Sequence, residues 1–582
     1  MQPTGTLTPH YSPSPSSSSL LGHREGSQQG SEFDHGYSGS VHSQQTSEVS
    51  QKFYLSPDPH EWGSTLYKDQ KEPDDALHDP LVKDRSSGAF TLRGLANLGC
   101  LGLLCVTLVT LFAGYPMISH FQKQEQSTQG GFNLGGVNAT GQVPEMGFSV
   151  LIDKDTPKSA YTRTSLEDGS KLQLVFSDEF NHDGRTFWPG DDPYWEAHNM
   201  HYWGTNNLEW YHPEAITTAG GNLILTLSER QINGLDYMGG FMSTWNKLCF
   251  QGGYIEASIV LPGENNVAGL WPAFWTLGNL GRAGYGATLE GMWPYSYDAC
   301  DVGTLPNQTL NSLPLAATTG GGTHTGGALS YLPGQRLSRC TCDGESHPGP
   351  KHRDGTYVGR AVPELDVIEA QVNGDPRFGH VSITCQIAPF NADYTWNNLT
   401  SNYDIWMDHD LAHLNEYQGG EFQQSVSVLA TTNQDCYERN GACYSEYSVE
   451  YKPGFDDGYI HWVMDGKPAW SLYGAGLGAD ALTEISARPV PTEPMYLILN
   501  LGMSHNFGAI DFADLVFPVN MYVDYVRVYQ RPGEIKMSCD PPDHPTADYI
   551  NTYFEAYNNP NLTTWVDDFG QSVPKNRLID QC

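Results

Sequence analysis

The sequence predicts an all-β domain, a jelly-roll sandwich, carried behind one N-terminal transmembrane helix and a disordered N-terminal tail. Three observations lead there. Short runs of alternating or β-branched residues recur between turn signals from about residue 170 onward, with no long amphipathic helix among them. Many short strands without βαβ alternation indicate two packed antiparallel sheets. The 62 Gly, 37 Pro and 32 Tyr in 582 residues suit a turn-rich β body. Finally, residues 94–119 hold no charged side chain, and at about 1.5 Å rise per residue such a run exceeds the roughly 30 Å hydrocarbon layer.

In chain order, residues 1–93 read as a disordered cytosolic tail: "YSPSPSSSS" (11–19) and "SGSVHSQQTSEVS" (38–50) lack apolar periodicity. Residues 94–119 read as a signal-anchor helix. Lys83, Arg85 and Arg93 precede it closely and only Lys123 follows closely, which predicts a single-pass type II orientation with the tail in the cytosol. All four N-x-S/T sequons, at Asn138, Asn307, Asn398 and Asn561, and nine of eleven cysteines lie beyond the span. A secretory-pathway protein of the endoplasmic reticulum, Golgi or plasma membrane, with its body lumenal or extracellular, is therefore expected. Residues 120–165 read as a Gly/Gln/Asn-rich stem. Residues 166–530 form the predicted sandwich, interrupted at 280–360 by a long irregular insertion of the kind that carries function. Residues 531–582 read as a polar C-terminal extension. The net charge of −36 speaks against a nucleic-acid partner and permits a neutral polysaccharide.

"PELDVIEAQ" (363–371) places Glu364, Asp366 and Glu369 in an otherwise apolar, strand-like run. On a strand Glu364 and Asp366 share a face, about 6.6 Å apart, whereas Glu369 falls opposite. One surplus residue, a β-bulge within Val367–Ile368–Glu369, returns it to the same side. Paired carboxylates flanking a glycosidic bond are the usual apparatus of glycoside cleavage, and mutual repulsion raises at least one pKa so that an acid is available near neutral pH. A solvated β-face or an acidic Ca²⁺ site would use the same residues.

"ELDVIEA" resembles the active-site motif, in its bulged form, of glycoside hydrolase family 16, the laminarinase- and lichenase-like β-glucanases. "FSDEFN" (176–181), "GGYIEASIVLP" (252–262), "LWPAFWTLG" (270–278), "GYIHWVMDGK" (458–467), "PMYLILNLG" (494–502) and "VDYVRVYQ" (523–530) resemble its other landmarks in the same order, over about 170–530. The stretches 278–309, 330–342 and 539–550, with the anchor and Ser-rich tail, are similar to the fungal type II membrane proteins needed for β-1,6-glucan assembly in the cell wall. The resemblance implies a concanavalin-like jelly roll, β-glucan as partner and retention of anomeric configuration through a glycosyl-enzyme. Carried over residue by residue, it implies Glu364 as nucleophile, Asp366 as assisting acid and Glu369 as general acid/base. Their chemistry needs the two glutamate carboxyls about 5–5.5 Å apart. The covalent intermediate then passes to water or to a sugar hydroxyl.

Sugar rings present apolar C–H faces, so Trp203 with Tyr202, Trp245, Trp271, Trp275 and Trp293 are candidate platforms, against the ordinary reading of tryptophan as core. Trp271 and Trp275, four apart, point to one face of a strand. By analogy with the family, which has aromatics lining the cleft near this position, they are expected near the site. Asn206 and Glu209 are candidate partners for sugar hydroxyls. Cys340, Cys342, His347 and His352 loosely resemble a zinc set, but C-x-C is not the usual spacing and the compartment is oxidising. Disulfides are expected instead, with no metal and no cofactor. Cys340 and Cys342 should each find a distant partner, Cys436 and Cys443 suit a local bridge, and nine cysteines leave at least one unpaired. Two other functions are compatible with the topology: a glucan-binding lectin or scaffold, and a quality-control protein for wall enzymes.

Overall fold

The computed structural model describes residues 92–115, 117 and 151–582. Most of the expected tail, most of the stem, the end of the expected span and Asn138 lie outside the described residues. The helix α1 (Leu92–Val109) continues through one π-helical stretch, Thr110–Gly114. Within it Gly94–Gly114, 21 residues of mean hydropathy 2.2, is long and apolar enough to cross a membrane. Thr107 and Thr110 donate their hydroxyls to the carbonyls of Leu103 and Val106, one turn back, leaving neither hydroxyl proton unsatisfied.

Among the described residues the body holds thirteen strands of six residues or more: β1 (Lys171–Asp178), β2 (Asn222–Ile232), β3 (Leu235–Ser243), β4 (Gly253–Val260), β5 (Trp271–Gly278), β6 (Glu364–Gly374), β7 (Arg377–Ile387), β8 (Gln423–Thr431), β9 (Ser445–Lys452), β10 (Tyr459–Met464), β11 (Lys467–Tyr473), β12 (Met495–Gly502) and β13 (Val519–Gln530). The front sheet runs β3–β12–β5–β6–β7–β8, every neighbour antiparallel. The back sheet runs β1–β13–β4–β9–β10–β11, also antiparallel throughout. Strand β2 pairs with the first half of β13 and with β3, and so joins the two sheets. This is the jelly-roll sandwich expected from the sequence.

Period-two alternation builds the core between the sheets. Leu497, Leu499 and Leu501 of β12 face inward beside Phe274, Val381, Ile383, Val426 and Val428, and meet Ile255, Val449, Ile460, Trp462 and Val528 of the back sheet. The intervening β12 residues Tyr496 and Ile498 face outward, yet they are buried as well, in a second core with Phe241, Ala273, Trp275 and Leu277. The insertion (Leu280, Met292, Leu337) and the C-terminal extension (Tyr549, Ile550, Tyr557, Trp565) cover them. Residues 531–582 are thus not merely a polar tail: they carry two short helices, Ala547–Thr552 and Phe554–Asn558, that pack onto the front sheet.

Disulfide Cys249–Cys539 fastens the extension to the body, Cys342–Cys582 ties the extension to the insertion, Cys300–Cys340 closes a loop within the insertion, and Cys436–Cys443 closes a local loop. Cys340 and Cys342 therefore each take a distant partner, and Cys385 remains a buried free thiol. The body also starts earlier than residue 166. Ile152 bridges to Ser177, and Thr162–Thr164 pairs with β1, so residues 151–165 belong to the folded domain and not to the stem. On the outer face of the back sheet the buried acids are matched by guanidinium groups. Arg527 forms a bidentate pair with Glu179 at 2.8 and 2.7 Å, and Arg163 lies 3.1 Å from Glu256 and also pairs with Glu446.

Candidate active site

The three acids of β6 reach one face through a bulge. Along β7, Asp366 pairs with Thr384 and Glu369 with Ser382, three steps on one strand against two on the other. Along β5, Ile368 pairs with Phe274 and Asp366 with Trp275, which leaves Val367 as the surplus residue. Leu365, Val367, Ile368 and Ala370 all sit in the inter-sheet core, so Glu364, Asp366 and Glu369 share the outer face of the front sheet. The back sheet supports the kink directly. The Trp462 indole N–H donates to the Asp366 carbonyl at 2.7 Å, satisfying a backbone acceptor at the bulge, and the ring stacks on Trp470.

Two further indoles hold the glutamates. Trp293, from the insertion, donates its N–H to Oε2 of Glu364 at 2.6 Å; Trp271, from β5, donates to Oε1 of Glu369 at 3.1 Å and stacks flat on Phe507 with ring centres 4.1 Å apart. The Gln386 amide approaches Oδ2 of Asp366 at 3.5 Å. Burial and the neighbouring Glu369 charge push Glu364 up to about 8, against the stabilising Trp293 N–H. Burial likewise pushes Glu369 up to about 7, opposed by Trp271. Asp366 rises well above the usual carboxylate range through burial and the charges of Glu369 and Glu364. Among the described residues no lysine or arginine figures among the groups that perturb the three acids. The cluster therefore retains protons near neutral pH, and a carboxylic acid is available there as a proton donor.

The other expected residues are distributed around this centre. Trp275, on the same face as Trp271, is buried, donates to Asn500 Oδ1 at 2.7 Å and meets Phe241 edge-on. Trp203 is partly exposed, with its ring against Gly286 of the insertion. Trp245 is committed to the covering layer: it stacks on Tyr557, lies under the Arg282 guanidinium at 4.5 Å and donates to the Asn279 carbonyl. Asn206 is an exposed left-handed residue (φ 52°) closing a short 3-10 turn. Its neighbour Asn207 turns inward, donating to Glu209 at 2.6 Å and to Tyr211 at 3.0 Å. Glu209 is fully buried, pushed up to about 7 by its burial, and accepts from the Met503 N–H, so it supports the floor and does not face a ligand. Asn307, Asn398 and Asn561 are exposed.

Residues not singled out in the sequence complete the site. On the β7–β8 side of the acids lies a hydroxyl ladder in which Thr384 bonds to Ser382 and to Ser427, each at 2.8 Å. Tyr417 lies close enough for the Glu369 charge to act on it and accepts from Gln423 at 3.1 Å. The outward alternation Ser382–Thr384–Gln386 in "HVSITCQIA" marks this face once the strand is known to neighbour β6.

Residues 64–582 match the family described as beta-glucan synthesis-associated protein SKN1/KRE6/Sbg1. The beta-glucan synthesis-associated protein KRE6 of Saccharomyces cerevisiae is 40% identical over 539 residues, covering 89% of this chain and 70% of that protein. The SKN1 protein of Candida albicans is 38% identical over 535 residues, covering 88% and 67%. Among solved structures, the catalytic domain of an endo-1,3-beta-glucanase (laminarinase) from Thermotoga petrophila RKU-1 is 19% identical, covering 62% of this chain and 98% of that one at a TM-score of 0.33. The chain belongs to the SKN1/KRE6/Sbg1 family of beta-glucan synthesis-associated proteins.

Proposed function

We propose that the chain is a membrane-anchored, retaining β-glucan glycosidase or transglycosylase that acts in β-1,6-glucan biosynthesis and wall organisation. The observation that carries this reading is the bulge that sets Glu364, Asp366 and Glu369 on one outer face, with each glutamate gripped by its own indole N–H. In this reading the ionised Glu364 attacks the anomeric carbon. Glu369 gives its proton to the departing glycosidic oxygen, the C–O bond breaks and a glycosyl ester forms on Glu364. Glu369, now a carboxylate, takes the proton from an incoming water or sugar hydroxyl, whose oxygen displaces Glu364. Asp366, held protonated by its surroundings, donates a hydrogen bond that steadies the neighbouring charge. Trp271 supplies aromatic surface beside the reacting sugar, the buried Trp275 backs the same wall, and Trp203, Trp293 and Asn206 border it. In the same reading α1 anchors the protein as a type II membrane protein, the body lies in the secretory lumen or outside the cell, and the sequon asparagines carry glycans.

The test uses full-length chain in detergent with labelled, linkage-defined β-1,3- and β-1,6-gluco-oligosaccharides. Wild type is expected to release reducing ends or redistribute chain lengths, and Glu364→Gln or Glu369→Gln to do neither. Equal turnover by the two variants would remove the assignment. A second reading, a glucan-binding scaffold, is favoured by the burial that keeps Glu364 protonated up to about pH 8. Binding of the oligosaccharides by wild type without any redistribution selects it.

A further inference from the structure

Beyond Glu369 the outward side of β6 continues as Gln371 and Asn373, both half-buried, and neither side-chain amide has a hydrogen-bond partner among the described residues. They line a cavity of about 190 Å³ together with Arg377, Ser504, Phe507 and Gly508. Phe507 is the ring that stacks on Trp271, whose N–H holds Glu369, so cavity and acid cluster share a wall. Arg377 is already neutralised by Asp511 at 2.5 Å, and the Ser504 hydroxyl is spent on the Thr205 carbonyl, so the cavity offers its two amides more than net charge.

The position of this cavity decides what it can hold. The acid trio lies along a strand, with the insertion and its Trp293 at the Glu364 end and the Trp271–Phe507 stack at the Glu369 end. A polymer seated between those two walls crosses the strands. The cavity lies off that path, further along β6, with Gln371 two residues or about 6.6 Å from Glu369. A group occupying it must therefore project sideways from the main chain. Its volume lies below the roughly 300–1,000 Å³ of sites for drug-sized ligands, and its lining of unpaired amides with one aromatic ring suits a single neutral sugar unit.

Resting on the reading of the acid cluster as a β-glucan site, we infer that this cavity is a subsite for a single hexosyl side unit on the glucan, read by the Gln371 and Asn373 amides. The primary hydroxyl at C6, on its exocyclic arm, is the attachment point that reaches furthest sideways. The site thus distinguishes a 6-O-glucosylated chain from a linear one.

The experiment uses full-length Glu364→Gln protein in detergent, so that ligands are not consumed. Linear β-1,3-linked glucohexaose is titrated against the same hexamer carrying one β-1,6-linked glucosyl unit, with calorimetry as the readout. The substituted ligand is expected to bind about tenfold tighter, the effect of one or two added hydrogen bonds. Adding Gln371→Leu or, separately, Asn373→Ala at the strand end should erase that preference, leaving the Kd for the linear hexamer in place; thermal melts confirm that each protein is folded. Equal Kd values for the two ligands, or a parallel loss for both in folded variants, overturns the subsite and leaves the glucan reading intact. If neither ligand binds, the glucan reading itself falls and the subsite with it.

Discussion

Both sheets bury carboxylates on their outer faces, and they treat them in opposite ways. On the back sheet Glu179, Glu256 and Glu446 meet Arg527 and Arg163, and the bidentate Arg527–Glu179 pair is buried on both sides. On the front sheet Glu364, Asp366 and Glu369 meet two indoles and an amide, with no cation among their perturbing groups. A buried charge costs several kcal/mol unless it is paired. The back sheet offsets that cost with guanidinium groups, which oppose the burial that raises Glu256. The front sheet leaves it in place, and the acids remain able to gain and lose protons. That difference separates carboxylates paired with cations from carboxylates held by neutral donors.

Four measurements test the contrast. Glu369→Gln should lower glucan redistribution by about 10²–10⁴-fold, the usual range for a lost general acid/base, with an unchanged or higher Tm because a strained ionisable group is gone. On the back sheet the pattern reverses: Arg527→Leu should destabilise the fold by about 3–5 kcal/mol in denaturant titration, since Glu179 is left buried and alone, while turnover per folded molecule stays within about twofold. Third, the front acids have folded pKa values above their ordinary ones. Their contribution to stability is complete below about pH 4.5 and is lost as pH rises through about 7 and 8. Scanning calorimetry should show Tm falling between pH 5.5 and 8, and falling less in Glu364→Gln. The smallest effect is expected from Trp293→Phe. Without that N–H the Glu364 carboxylate is less stabilised, so the limb of the pH–rate profile that reports its ionisation moves up by about 1 pH unit.

Much of the front sheet is legible in the sequence because its signals are local. E-x-D-x-x-E with apolar fillers makes sense as a bulged strand, and the surplus residue falls at Val367. Strand β3 is harder to read, because Gly239 and Gly240 interrupt its apolar pattern. A Cβ at Gly239 would come within 2.7 Å of the Leu501 carbonyl, so the close approach of β12 requires glycine there. The covering layer is illegible for a different reason. Trp245 finds Tyr557, and Leu277 shares a cluster with Trp565, across hundreds of residues. No local periodicity announces such partners. Asn206 and Asn207 show the finest limit, since only the left-handed turn at Asn206 decides which amide points inward.

The strand order of the front sheet also sets a schedule. Strand β12 lies between β3 and β5, although roughly 250 residues separate the end of β3 from its start. At about 5–20 residues per second of synthesis, the gap between those neighbours stays open for roughly 10–50 s after β3 emerges. During that interval β3 and β5 expose unpaired backbone edges, which invites mispairing and makes folding slow, as with other long-range β topologies. A nascent chain that stalls before residue 495 lacks a central plank of the surface bearing the acids.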